Sequence, residues 1–150
     1  MNVLCDAMFS LGKSDAANLR RRAPGLSPTE LMAEEAKIPD FRADCDYSHW
    51  PVGAPVRASD QVWALLQPYD ARSHPESPMV LRSHWSLCHS KDPKLAKRWV
   101  DALGISGRYM KGDCYKATDG TVYRALKDNL VYDAFSMPEA WQVVVEYPVP

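Results

Sequence analysis

Strand-like alternation of apolar and polar residues is densest near the end of the chain, between Tyr109 and Tyr147. Asp119-Gly120 separates two alternating runs there, and Asp-Gly in that position favours a type I′ hairpin turn, which needs positive φ at both central residues. The pattern predicts strands over 113–116, 121–127 and 140–146, with a loop over 128–138. Together these elements form a three-stranded antiparallel meander.

The first part of the chain has helical spacing instead. Apolar side chains over 3–11 recur on one helix face, and a second short helix is predicted over 15–22. Ser27 and Glu30 form a capping box with proline at the first helical position, which predicts a third helix over 28–37. These helices fit packing on a sheet, or an arm for oligomerisation or docking, because short helices with thin apolar stripes make a poor core alone.

The order of large residues in the final stretch recurs, in degraded form, over about 50–88. The matched pairs are Trp50 with Trp99, Trp63 with Tyr123, and Trp85 with Trp141. The spacing drifts by only a few residues, which indicates an internal repeat. The first copy lacks the Gly-Asp and Asp-Gly turns, so we expect its hairpin to turn differently.

These patterns predict an α+β fold. It comprises a helical N-terminal arm over 1–38, followed by two small antiparallel three-stranded β modules. The first, degraded module covers 39–90 and the second covers 91–150. A chain of 150 residues suits one domain or two very small ones.

Composition narrows the possible partners. The net charge is −1, which argues against a nucleic-acid partner because phosphate neutralisation needs an excess of Lys and Arg. No apolar run approaches transmembrane length, so we expect no membrane insertion. The four cysteines are scattered without a Cys-x-x-Cys pair, which favours reduced thiols in a protein made in a reducing cytoplasm.

The residues typical of catalysis or metal binding do not form a convincing set. His84 and Cys88 stand four residues apart, a spacing that binds zinc on a helix, but no second pair follows at a standard spacing. No two carboxylates pair as a glycosidase requires. We therefore expect no catalytic residue, no metal site and no cofactor.

Two aromatic residues, Tyr132 and Phe135, stand on the loop before the last predicted strand. Apolar aromatics on a loop of a small sheet form either a ligand platform or a protein interface. The C–H faces of sugar rings stack on aromatic rings, and the side chains of Asn129 and Asp133 are suited to binding hydroxyl groups. The predicted ligand-binding residues are therefore Tyr132, Phe135, Asn129 and Asp133.

The stretch from about Trp99 to Glu146 also resembles a known module. Tyr109-x-x-Gly-Asp, then Asp119-Gly-x-Val-Tyr-Arg-Ala, then Pro138-x-x-Trp is similar to the small carbohydrate-binding modules of chitinases. Copies of that module are widespread in bacteriophage tail and tail-fibre proteins. This chain departs from the pattern at Tyr115, where the family has an apolar residue, and in the middle loop, which lacks the family's longer polar run.

The resemblance implies a non-enzymatic virion component of a tail tip, fibre or baseplate, made in the host cytoplasm. Its expected partners are other virion proteins, further copies of itself and a host-surface glycan. Two alternatives stay open at this point: a purely structural assembly protein that binds no glycan, and a small phage-encoded intracellular inhibitor. Fold-level resemblance alone does not decide between them.

Residues 91–104 carry two conflicting signals. Asp92 and Pro93 fit the start of a helix and Gly104 fits its end. The resemblance instead implies extended chain around Trp99. We expect one or two helical turns followed by extended chain.

Overall fold

The computed structural model describes residues 13–144, which fold into short helices and two small β-sheets. The chain divides into two units, Met1–Cys88 and His89–Pro150. The helix predicted over 3–11 falls outside the described residues. Within the described part, no helix is both long enough and apolar enough to cross a membrane.

Two α-helices open the first unit, α1 over Lys13–Arg22 and α2 over Pro28–Ala33, each followed by a 3₁₀ turn, Ala23–Gly25 and Glu35–Lys37. The capping box is confirmed at the start of α2. Ser27 Oγ accepts the Glu30 N–H at 3.2 Å, and Glu30 Oε1 accepts the Ser27 N–H at 2.8 Å. The helix predicted to reach residue 37 ends four residues earlier, and the chain continues as a 3₁₀ turn.

The apolar side chains of this helical segment are buried, including Leu19, Leu31, Met32 and Ile38. The helical segment contacts the start of the β region of the same unit. The Arg20 guanidinium lies 4.4 Å from the ring centre of Trp50, and the Cα of Pro24 would be 3.4 Å from a Cβ added at Gly53. The described helices therefore pack on their own unit.

The first unit contains a three-stranded antiparallel sheet in the order β1-β2-β3. The second unit contains four strands in the order β4-β5-β6-β7, of which β4 and β5 are parallel and the others antiparallel. The strands are β1 Pro55–Ala58, β2 Gln61–Leu65, β3 Trp85–Leu87, β4 Lys97–Arg98, β5 Cys114–Lys116, β6 Val122–Ala125 and β7 Trp141–Val143.

The α+β class is confirmed, but the prediction of two three-stranded modules is wrong for the second sheet. The additional strand, β4, is only two residues long and is too short to show an alternating pattern. The helix-start signals before it produce a single 3₁₀ turn, Pro93–Leu95, in which Asp92 Oδ1 accepts the Lys94 N–H at 3.0 Å. Extended chain follows at once, because β4 pairs with β5.

The two units follow one backbone plan. Gly53 and Gly112 have φ values of +96° and +95°, and their N–H groups donate to the carbonyls of Leu65 and Ala125 respectively. Leu65 is in turn the register partner of Trp85, in the way that Ala125 is the register partner of Trp141. In both units a preceding segment of the chain also pairs in parallel with the first strand of the hairpin. In the first unit this pairing is the isolated bridge of Asp40 with Arg57, and in the second unit it is the pairing of β4 with β5.

This plan corrects the sequence alignment of the two modules. Trp50 precedes Gly53 by three residues, as Tyr109 precedes Gly112, so Trp50 corresponds to Tyr109 and not to Trp99. The residue that corresponds to Trp99 is Phe41, which directly follows the parallel bridge. The first copy also has its glycine turn, although the residue after Gly53 is alanine where the second copy has aspartate.

The two hairpins turn differently, as expected, but the type I′ turn predicted for the second unit lies in the first. Ser59 and Asp60 have φ values of +55° and +64° and form the two-residue loop between β1 and β2, as in a type I′ turn. In the second unit only Gly120 of the Asp119-Gly120 pair is left-handed, at +91°. The Ala117 N–H donates to the Thr121 carbonyl at 2.7 Å, which leaves a three-residue loop. Loop length selects the turn type, so the expected type I′ turn at Asp119-Gly120 is wrong.

The cysteines also differ from expectation. Cys45 is disulfide-bonded, whereas Cys88 and Cys114 are buried thiols. The expectation of four reduced cysteines is therefore wrong at Cys45. Sequence spacing does not reveal a disulfide between cysteines that folding brings together.

Candidate functional site

Aromatic rings form the core of the second unit. The Tyr109 ring stacks on Trp99, with ring centres 4.8 Å apart, and on His89, at 3.6 Å. Trp141 meets the Tyr115 ring edge-on at 4.9 Å. A small sheet buries little area, so large rings supply most of the core. Tyr109, Tyr115 and Trp141 are buried, whereas Trp99 is only partly covered.

A cleft of about 680 Å³ opens beside this core. It lies next to β4 and the β5–β6 hairpin and includes part of the loop before β7. The cleft combines four aromatic rings with two cationic and two anionic side chains. The aromatic residues are Trp99, Tyr115, Tyr123 and Phe135, and the charged residues are Arg98, Lys116, Asp119 and Asp133.

Hydrogen bonds hold the loop that carries Phe135. The Ala134 N–H donates to the Tyr115 hydroxyl oxygen at 2.9 Å, and Trp141 Nε1 donates to the Tyr132 carbonyl at 2.9 Å. Asp133 Oδ1 accepts the Ser136 N–H at the same distance. Burial raises the pKa of Tyr115, which favours the neutral phenol. The loop is therefore fixed against the sheet on both sides of the cleft-lining residues.

The structure brings together two of the four predicted ligand-binding residues. Phe135 is 95% exposed and lines the cleft with Asp133. Tyr132 is 60% exposed, and Asn129 has φ +61°, but neither is among the residues that line the cleft. Tyr132 instead contributes its carbonyl to the hydrogen bond that holds Trp141.

Several cleft residues were missed by the sequence analysis. Tyr123 lies on β6 on the same face as the buried Ala125, so the period-two pattern of a strand was a usable signal for it. Arg98 carried no such signal, because its position depends on the pairing of β4 with β5. Lys116 is its register partner in that pairing.

The two carboxylates of the cleft belong to local turns. Asp119 Oδ1 accepts the Thr121 N–H at 2.9 Å, and hydrogen bonding to Thr121 lowers the pKa of the Asp119 carboxyl. Asp133 is bound to the Ser136 amide in the same manner. Aspartate in such turns stabilises the turn by accepting a nearby backbone amide.

His84, which was considered as a zinc ligand from its spacing to Cys88, and His89 lie in ordinary packing environments. In the first unit the His84 ring lies 4.7 Å from the Tyr69 ring, and burial lowers the pKa of His84. In the second unit His89 Nε2 is 2.8 Å from the Gly107 carbonyl oxygen. Among residues 13–144, no group of three or more His, Cys, Asp or Glu side chains is placed to hold a metal ion.

The arrangement as a whole is an open cleft lined by aromatic rings, among them the exposed ring of Phe135, and by charged side chains. Such a surface suits a ligand that has both a flat apolar face and polar substituents. Comparison with known proteins adds no further assignment, because no protein-family model and no curated protein matches this chain.

Proposed function

We propose that this protein is a non-enzymatic bacteriophage virion component whose second unit binds a host-surface saccharide in the aromatic cleft. The observation that carries the proposal is the position of Phe135, which is 95% exposed beside Trp99 and Tyr123. The sequence resemblance to carbohydrate-binding modules of phage tails supports the same function. The tail tip, fibre or baseplate is the proposed location.

An exposed phenylalanine on a rigid loop is suited to stacking. Water around the ring is released when the C–H face of a sugar covers it, and an aromatic contact of this kind contributes about 1 kcal/mol. The hydrogen bonds of Ala134 and Trp141 hold the loop before any ligand arrives. Little ordering entropy is therefore lost on binding.

Binding at one such cleft is expected to be weak. One exposed ring and a few polar groups desolvate little surface, which corresponds to a dissociation constant near the millimolar range, or about −4 kcal/mol. We propose that the two units are copies of one module and that many copies on one particle, including homo-oligomers, raise the avidity. Multivalent attachment multiplies a weak affinity without any new contact.

A second candidate is a structural assembly protein that binds other virion proteins and no glycan. It is favoured by exposed apolar side chains on the second unit, of which Ile105 is 80% exposed and Leu103 56%. Exposed apolar surface marks protein interfaces as well as ligand sites. The two candidates differ in which surface a partner covers, since assembly does not require the cleft to stay open.

The test is a glycan array and a host-cell pull-down with the full chain in multivalent display. We expect wild type to bind, and Phe135→Ala to abolish binding without unfolding, because Phe135 is 95% exposed. Tyr132→Ala is the matched variant, since Tyr132 is an exposed ring on the same loop that does not line the cleft. It is expected to keep most of the binding.

Each outcome of this test decides something. Equal losses in the two single variants would show that Tyr132 belongs to the binding platform together with Phe135. If wild type binds no saccharide in multivalent display, the saccharide proposal fails and the assembly candidate takes its place. Light scattering on the full chain and on Ile105→Asp then tests assembly, because the exposed apolar residue would lie in the interface.

A further inference from the structure

We propose that the first unit carries a closed copy of the saccharide site, in which its own Arg82 occupies the face of Trp63 that a sugar ring would cover. The full chain then binds one saccharide, in the second unit, and removal of the Arg82 side chain opens a second site. This inference rests on the proposed function. It adds which unit binds and what keeps the other unit closed.

Trp63 and Tyr123 occupy equivalent positions in the two sheets. Trp63 is the register partner of Leu87 on β3, and Tyr123 is the register partner of Val143 on β7. Trp63 is fully buried and Leu87 is 5% exposed, whereas Tyr123 is partly exposed and Val143 is 46% exposed. The same part of the sheet is therefore covered in the first unit and open in the second.

The Arg82 side chain covers this part of the first unit. Its guanidinium carbon lies over the Trp63 ring, 5.0 Å from the ring centre, inside the distance of about 6 Å at which a cation–π contact forms. Arg82 Nε donates to the Met79 carbonyl at 2.9 Å, and the residue is itself buried. A guanidinium is planar and stacks on aromatic faces, so it takes the place that the flat face of a sugar would take.

A difference in loop length accompanies this cover. The segment between the second hairpin strand and the last strand runs over 66–84 in the first unit and over 126–140 in the second, so it is four residues longer in the first. Arg82 precedes the tryptophan of the last strand by three residues, and the same place in the shorter loop is Pro138. A proline ring is short and carries no charge. The shorter loop therefore supplies no side chain equivalent to Arg82.

The clefts of the two units agree with this difference. The cleft of the first unit has a volume of about 490 Å³ and is lined by Phe41, by charged side chains and by the turn between β1 and β2, but not by Trp63. The cleft of the second unit, at about 680 Å³, extends from the corresponding turn to Tyr123 and Phe135. The part of the cleft that the first unit lacks is the part that Arg82 fills.

A weakly bound saccharide is not expected to displace this side chain. Displacement would break the charge-assisted hydrogen bond to the Met79 carbonyl and the cation–π contact with Trp63. A single stacked sugar replaces neither the charge nor that hydrogen bond. The first unit therefore stays closed at saccharide concentrations that fill the second unit.

The test is an NMR titration of the full chain with the neutral hexose oligosaccharides of the glycan array in soluble form. The indole N–H of Trp63 reports on the first unit, because it donates to the Ala58 carbonyl at 3.0 Å. Wild type should show saccharide-induced shifts in the second unit alone, and Phe135→Ala should show none. The double variant Phe135→Ala, Arg82→Ala should regain binding, with shifts at Trp63 and a dissociation constant within about tenfold of wild type.

Arg21→Ala in the Phe135→Ala background is the matched control, because Arg21 is an exposed arginine of the first unit and its loss changes the net charge equally. It should not restore binding. Thermal denaturation shows whether each variant is folded. If Arg82→Ala does not fold, Arg82→Gln tests the same point, because its shorter amide keeps a donor for the Met79 carbonyl and uncovers the ring. It should also restore binding.

Saccharide-induced shifts at Trp63 in the wild type, or two saccharides bound per wild-type chain, would overturn this inference and leave the proposed function intact. A folded double variant that shows no shifts would overturn it as well, and so would equal restoration by Arg21→Ala. Absence of shifts anywhere in the wild type with every oligosaccharide would instead overturn the proposed function. The two failures are therefore distinguishable.

Discussion

The two units share a backbone plan but stabilise it differently, and the difference shows which positions the plan requires. Both need a left-handed glycine before the hairpin, at Gly53 and Gly112, because its N–H donates to the second hairpin strand. The residue after each glycine differs. Asp113 accepts the Met110 N–H at 2.8 Å and pairs with Lys91 at 3.0 Å, whereas the equivalent Ala54 has no polar side chain.

The tryptophan that begins the last strand of each sheet, on β3 and on β7, also differs between the units in its hydrogen-bond partner. Trp85 Nε1 donates to the Tyr69 hydroxyl at 2.7 Å, and Trp141 Nε1 donates to a backbone carbonyl at 2.9 Å. Position and donor are shared, but the acceptor is not. The plan thus fixes backbone geometry and ring placement and leaves the surrounding side chains, including the charges of the clefts, free to diverge.

The largest expected effect comes from removing those tryptophans. Trp85→Ala and Trp141→Ala should each lower the free energy of unfolding by about 3–5 kcal/mol, through lost burial and the cavity left behind. We expect Trp85→Ala to cost more, because Trp85 is fully buried and its removal also leaves the Tyr69 hydroxyl without its donor.

Chemical denaturation of the full chain, with amide hydrogen exchange to assign each loss to a unit, measures the difference. Trp85→Phe serves as a control, because it keeps a buried aromatic ring, removes the N–H donor to Tyr69 and leaves a smaller cavity than alanine does. A larger loss for Trp141→Ala than for Trp85→Ala would show that the buried hydroxyl contributes little to the comparison.

The next largest effect on stability is expected from substitutions in the hairpin turns. Gly120→Val should destabilise the second unit by roughly 1–3 kcal/mol, because φ is +91° there and a β-branched residue is strained in that region. A Cβ at Gly120 would meet nothing within 4 Å, so the cost is one of backbone strain alone. Gly25→Val is the matched control, since its space is equally open and its φ is not left-handed. Equal melting temperatures for the two variants would contradict the assigned turn.

In the corresponding turn of the first unit, a substitution should raise the stability of the protein instead of lowering it. Asp60 has φ +64°, which is costly for a residue with a Cβ, so Asp60→Gly should stabilise the chain by roughly 0.5–1 kcal/mol. Asp119→Gly is the control and should destabilise, because it removes the acceptor of the Thr121 N–H. Thermal denaturation of both variants decides whether strain or side-chain bonding dominates at each turn.

The smallest expected effect is a difference in acid sensitivity. Hydrogen bonds from Arg22 and from Arg72 lower the pKa of Glu34 and of Asp70, each to about 2, and both carboxyls belong to the first unit. A depressed folded-state pKa stabilises the protein above the unfolded pKa, and that contribution is lost as pH falls through the folded value.

Both carboxyls are only partly buried and lie at the surface, so the loss should be modest and confined to the range between about pH 4.5 and pH 2. Amide exchange along an acid titration should show protection falling in the first unit before the second. Glu34→Gln should reduce the difference between the two units in the pH at which amide protection is lost. Simultaneous loss in both units would contradict a role for these ion pairs.

Local sequence signals determined the elements whose stabilising contacts are local. The capping box of Ser27 and Glu30 set the start of α2, because both of its hydrogen bonds span three residues. Alternation and turn residues located the hairpin strands, and those strands established the α+β class. An exposed aromatic on the last loop, Phe135, was likewise visible in the sequence.

Tertiary structure alone decided the features that depend on distant pairing. The strand β4 exists because Lys97 and Arg98 pair with a strand almost twenty residues later, and two residues carry no periodic signal. The turn at Gly120 follows from the register of β5 with β6, which sets a three-residue loop whatever dipeptide lies within it. The juxtaposition of Arg98 with Lys116 is likewise a property of the sheet, because side chains far apart in sequence acquire a common charge environment only when strands pair.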